Sequence, residues 1–175
     1  EVLAERPRTS LEVMEQSEGT EYHQERRDDK ARMALCFLVG ALIGVGLEDK
    51  TGQQALKQHP DRFLPSCGVD PNRGVNALRH IERMHDEFGI LAVSAFPAGC
   101  VPQVPIDDKR FYPVYAKCAE FGLPINMLVG VPGPRVPFKC QSPDLLDEVA
   151  WFFPELKIVM RHGGDPWTDL CVKLL

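Results

Sequence analysis

The sequence has no Cys-x-x-Cys pair, no Gly-x-Gly-x-x-Gly, no excess of positive charge and no apolar run of membrane-spanning length, and each lack excludes something. Without paired cysteines there is neither a zinc knuckle nor a thioredoxin-like redox site. The glycines at 40, 44 and 46 have the wrong spacing for the dinucleotide-binding turn. Twenty Lys and Arg against 25 Asp and Glu give a net charge of -5, the wrong sign for a phosphate-backbone partner. The longest apolar run, 33–47, falls short of the ~18 residues of a membrane span. No amino-terminal stretch combines a basic start, an apolar middle and a small-residue cleavage site. The expectations are therefore a reducing, cytoplasmic setting and a small-molecule partner. Neither nucleic acid nor membrane is expected, and homo-oligomerisation is left open.

What is present suits one folded domain. Of 175 residues, 44% are hydrophobic and 26% charged, enough to build one core. Six cysteines, Cys36, Cys67, Cys100, Cys118, Cys140 and Cys171, lie far apart, several in apolar runs, and read as buried reduced thiols. Residues 1–32 are dominated by Glu, Arg, Asp and Lys and read as a polar charged helix or tail. The run 33–47 follows, apolar on every side with β-branched residues and glycines, and reads as a buried parallel strand opening into a loop.

From there strand-like runs alternate with amphipathic stretches. The strands are expected at 62–67, 90–96, 124–129 and 157–161. A helix over 71–88 would turn Val75, Leu78, Ile81 and Phe88 inward and stop at Gly89. A second, capped by Asp107 or Asp108, would bury Phe111, Val114, Cys118 and Phe121 and stop at Gly122. A third opens at Ser142-Pro143-Asp144 and buries Leu145, Leu146, Val149 and Phe153. A last helix starts at Asp165-Pro166.

Strands alternating with helices of this length imply βαβ units and a parallel sheet. A closed (β/α)₈ barrel takes ~250 residues, so the barrel reading makes 33–175 a partial barrel of about five strands, incomplete at both ends. The chain starts at Glu1 rather than Met, which fits a processed or truncated chain. An open α/β nucleotide-binding domain around Gly40–Gly46 is the weaker alternative.

Several phrases occur in a telling order: His59-Pro-Asp-Arg-Phe63, Val69-Asp-Pro71, Phe88-Gly-Ile90, Ile106-Asp-Asp-Lys-Arg-Phe-Tyr-Pro113, Gly122-Leu-Pro124 and Phe153-Pro-Glu-Leu-Lys-Ile-Val-Met-Arg-His-Gly-Gly164. Over roughly the carboxyl-terminal two thirds, this succession resembles the amidohydrolase-related family, whose relatives include aminocarboxymuconate-semialdehyde decarboxylase-like enzymes. The resemblance implies a barrel with a divalent metal, usually zinc, at its mouth, and hydrolysis or decarboxylation of a small carbonyl or carboxylate compound.

His162 matches the histidine ending the family's sixth strand, which implies an acid/base residue first and a metal ligand second. From the residues alone, a histidine beside a glycine turn reads as structural, its imidazole bonded to backbone. Asp165 would cap the next helix, and Trp167 either lines the pocket or packs against a neighbour. On loop 129–140, Arg135 and Lys139 are candidates to bind an anionic substrate, the alternative being a solvated loop. Arg161 is expected to form a structural ion pair.

The family's His-x-His on its first strand is missing here. By the Gly-Leu-Pro register, the ligand position of the fifth strand falls on Leu128, and two positions that often hold Lys and His fall on Ser94 and Phe96. His80 and His85 sit about 140° apart around a helix and cannot share an ion. A non-catalytic relative that has lost its ligands is thus the competing reading.

Overall fold

The computed structural model describes residues 44–46 and 50–175. The proposed tail at 1–32, Cys36, Gly40 and most of the run 33–47 lie outside them. Five strands form one sheet: β1 Gly44–Gly46, β2 Leu64–Val69, β3 Ala92–Ala95, β4 Ile125–Leu128 and β5 Ile158–Arg161. Their order is sequential and every pairing is parallel, the pattern that right-handed crossovers through intervening helices produce. The helices are α1 Lys50–Gln58, α2 Val75–Phe88, α3 Tyr112–Glu120, α4 Leu145–Phe152 and α5 Thr168–Leu174. This is an unclosed arc of a (β/α) barrel, as expected. Gly44–Gly46 pair with β2 as a strand, and Gly40 lies outside the described residues.

The core forms where one face of the sheet meets the helices. Cys67, Val93 and Ile125 share one register row and are completely buried. Val69, Ala95, Met127 and Met160 form the next row, each at most 8% exposed. Ile81 and Met84 of α2, Val114, Tyr115 and Cys118 of α3, and Leu146 and Val149 of α4 pack onto these rows. Full burial of such an aliphatic side chain contributes about 1.5–3 kcal/mol. Tyr115 enters the core because its hydroxyl donates to the Ile106 carbonyl at 2.6 Å.

Most differences from expectation lie at helix starts. Pro71–Arg73 form a separate 3₁₀ turn in which the Asp70 carboxylate accepts the Asn72 N–H at 2.9 Å. Helix α2 therefore starts at Val75, which is exposed, and its inward face is set by Ala77, Ile81 and Met84. Asp108 closes a turn onto the Arg110 N–H instead of capping a helix, and α3 waits until Tyr112. The Ser142 hydroxyl bonds the Asp144 carboxylate and caps no backbone group of α4. Asp165 likewise does not cap α5, which starts at Thr168. Helix α1 lies in a stretch whose sequence shows little apolar periodicity. The stops at Gly89 and Gly122 are as expected, both left-handed, with φ of 58° and 64°.

All five described cysteines are buried, and none forms a disulfide. Burial, followed by the charge of Asp70, pushes the Cys100 thiol up to about 12, and burial does the same for Cys118. Neither is a nucleophile.

Candidate active site at the carboxyl edge of the sheet

In a parallel α/β array every loop that leaves a strand emerges on the same edge, where catalytic groups of barrels collect. Here those loops hold Asp70 and Asn72 after β2, Cys100 to Arg110 after β3, Arg135 to Gln141 after β4 and His162 to Trp167 after β5.

His162 follows β5 with φ 62°, and among the described residues it is the one non-glycine with a left-handed backbone. Such a conformation costs about 1–3 kcal/mol and concentrates where function requires it. The side chain is exposed and its imidazole bonds no described residue, so the structural role with a backbone partner is not what the fold displays. Gly163 and Gly164, at φ 62° and 68°, continue the turn. A Cβ on Gly164 would collide with the Cys171 sulfur, so the turn can sit against α5 only with glycine there.

The loops are laced to one another. Gln141, 1% exposed, accepts the Ala98 N–H at 3.2 Å from the β3 loop and donates to the Gly130 carbonyl at 2.8 Å. Gly130 in turn packs on the backbone of Gly164 and Asp165, and Val131 donates its N–H to the Asp165 carbonyl at 2.8 Å. The Gln103 amide bridges Ala98 and Pro137, 2.9 Å to each carbonyl. Three loops thus form one rim under His162. Gln141 carries no motif, which is why sequence reasoning missed it.

Of the residues expected to bind substrate, Trp167 is half-buried and lies against Phe138, ring centroids 5.2 Å apart. That contact brings the β5 loop beside the loop of Arg135 and Lys139, both exposed. Arg161 forms no ion pair with a described residue, against expectation. A second polar group follows β2 and β3: Arg110 grips Asp108 with two nitrogens, at 2.9 and 2.8 Å, and donates to Asn72 Oδ1 at 3.0 Å. Those bonds hold the Asp108 carboxyl down at about 2.

No three His, Cys, Asp or Glu side chains among the described residues are grouped to hold a metal ion. His162 has Leu128 and Arg161 as its strand-end neighbours. The described residues therefore do not fit a metal centre by themselves.

A parallel barrel arc with a strained, exposed histidine at its carboxyl edge defines a (β/α)-barrel protein. The chain belongs to the amidohydrolase family, whose model matches residues 44–173. Among solved structures it is similar to an uncharacterized TIM-barrel protein from Bordetella bronchiseptica, at 29% identity and TM-score 0.60 over 69% of this chain and 42% of that one. It is also similar to 4-oxalomesaconate hydratase from Rhodopseudomonas palustris, at 21% identity and TM-score 0.51, covering 69% and 41%. A third is 2,6-dihydroxybenzoate decarboxylase from Rhizobium, at 15% identity and TM-score 0.52, covering 67% and 44%. The chain spans under half the length of these structures. No curated protein matches it.

Proposed function

We propose that the full-length protein is a hydrolase or carboxy-lyase of the amidohydrolase type, acting on a small carbonyl or carboxylate compound, with His162 as its proton-transfer group. The observation that carries this is the left-handed backbone at His162, with an exposed imidazole that bonds none of the described residues at the strand ends. A neutral imidazole can take a proton from water as it adds to a carbonyl carbon and return it to the leaving group. In a decarboxylation the imidazolium would protonate the carbon that loses carbon dioxide. The hydratase and decarboxylase among the similar structures support this range of chemistry. Arg135, Lys139 and Trp167 belong to the same rim and are proposed contacts for the substrate.

The family's dependence on a divalent ion, zinc in the usual form, is the second part of the reading. It requires ligands outside the described residues. Elemental analysis of the full-length protein tests it: one ion per chain supports a completed centre, and metal-free turnover removes that part. For the first part, His162→Ala should abolish hydrolysis and decarboxylation while circular dichroism stays unchanged. Undiminished turnover would eliminate the proposed role.

A further inference from the structure

The face of the sheet turned away from the helices differs in composition from the face they cover. Side chains alternate along a strand, and residues paired in a parallel register share a face. Gly68, Ser94, Asn126 and Val159 therefore form one row on the concave face, and Leu128 and Arg161 sit together one step nearer the carboxyl edge. A closed barrel normally fills its interior with bulky branched side chains. Here Val159 is the one such side chain in the row, beside a glycine and two polar residues.

Ser94 and Asn126 are half-buried on adjacent strands, which lie ~4.8 Å apart. Neither side chain bonds a described residue. No polar side-chain atom among the described residues is both buried and unmet, and a hydroxyl and an amide at this depth can exchange water for the polar atoms of a small ligand. Above them Arg161 is exposed, with extended backbone and no ion pair to a described residue. In a chain of net charge -5, Arg161 is the cation of β5 nearest the carboxyl edge, a local feature and not part of a general positive field.

We propose that the concave face binds a small carboxylate, Arg161 gripping the carboxylate with paired N–H bonds while Asn126 and Ser94 bond the neighbouring hydroxyl or carbonyl oxygen. Guanidinium geometry matches a carboxylate in two parallel bonds, which an ammonium cannot reproduce. Leu128, in register with Arg161, supplies an apolar wall. His162 directly follows Arg161 at the same carboxyl edge of the sheet. For its role in turnover this site rests on the function proposed above, but its binding does not.

The test measures binding without turnover. Calorimetry on the full-length protein compares benzoate and succinate with their uncharged amides, benzamide and succinamide. An acid should bind at least tenfold more tightly than its amide. R161Q should weaken acid binding at least tenfold, R161K should restore part of it, and N126L should weaken it severalfold. Arg79→Gln, on the exposed side of α2, should change nothing, and circular dichroism should show every variant folded. Equal binding of acid and amide, wild-type affinity in R161Q, loss in R135Q with R161Q intact, or no acid binding at all would each overturn the proposal. Binding that depends on Arg161 without any hydrolysis or decarboxylation would leave this site standing and refute the enzyme. Turnover that needs His162 but ignores Arg161 would do the reverse.

Discussion

Gln141 and Gly130 are joined twice: the Gly130 N–H donates to the Gln141 carbonyl at 2.9 Å, and the Gln141 side-chain amide donates to the Gly130 carbonyl at 2.8 Å. The same side chain accepts the Ala98 N–H. One residue thus satisfies backbone groups of two loops in a place that water does not reach.

Gln141→Leu keeps the bulk and removes both side-chain bonds. The Gly130 carbonyl and the Ala98 N–H lose their side-chain partner, and each buried orphan costs about 1–3 kcal/mol. Urea unfolding should show a loss of about 3 kcal/mol with an unchanged slope. A loss below 0.5 kcal/mol would mean that water replaces the amide.

Gly130 has φ 92°, and a Cβ there would strike the Asp165 carbonyl and the Gly164 backbone. Gly130→Ala should cost at least about 2 kcal/mol, because backbone on both sides cannot yield. Thermal unfolding of the variant beside Gly133→Ala, where nothing lies within 4 Å, isolates the collision.

The left-handed turn at His162 makes stability and function oppose one another. Glycine adopts φ 62° without strain, so His162→Gly should raise stability by about 1 kcal/mol while abolishing turnover. His162→Ala keeps the strain and should show no such gain. A loss of stability in His162→Gly would contradict the turn as described.

Asp108, held at about 2 against an ordinary 3.8 by its bonds to Arg110, stabilises the fold above its unfolded pKa. That contribution should be complete above pH ~5 and lost as pH falls from about 4 through 2. Its side chain is 27% exposed, so screening limits the effect to about 1 kcal/mol. Wild type and Asp108→Asn should differ at pH 6 and converge at pH 2 in chemical denaturation. A gap that persists at pH 2 would assign the effect to packing.

Cys100 and Cys118, both pushed up to about 12, should resist iodoacetamide at pH 8 in the native protein and react once urea unfolds it. Mass spectrometry of the alkylated peptides reads the difference. Rapid native labelling of Cys100 would show that the β3 loop opens.

The alternation of elements was legible because it is local: apolar period fixes helix and strand, and glycines at 89 and 122 fix helix ends. Helix starts were less legible. Asp and Ser side chains can close short turns as readily as they cap helices, and Asp108 and Ser142 did the former. The motif around His162 marked the family and the strand end. The backbone strain that singles it out was not visible in the letters.

The sequence by itself determined a βα alternation, the burial of the thiols that the structure describes and the identity of the residue at each strand end. Only the tertiary structure decided which faces those strands present and which loops touch. Register placed Arg161 on the concave face beside Leu128, above Ser94 and Asn126, where the sequence had suggested an ion pair. Hydrogen bonds across 43 and 11 residues made Gln141 the tie between loops. Both are non-local facts: local preference sets an element's type, but a side chain's neighbours are set by which distant strand pairs with its own, and in what register.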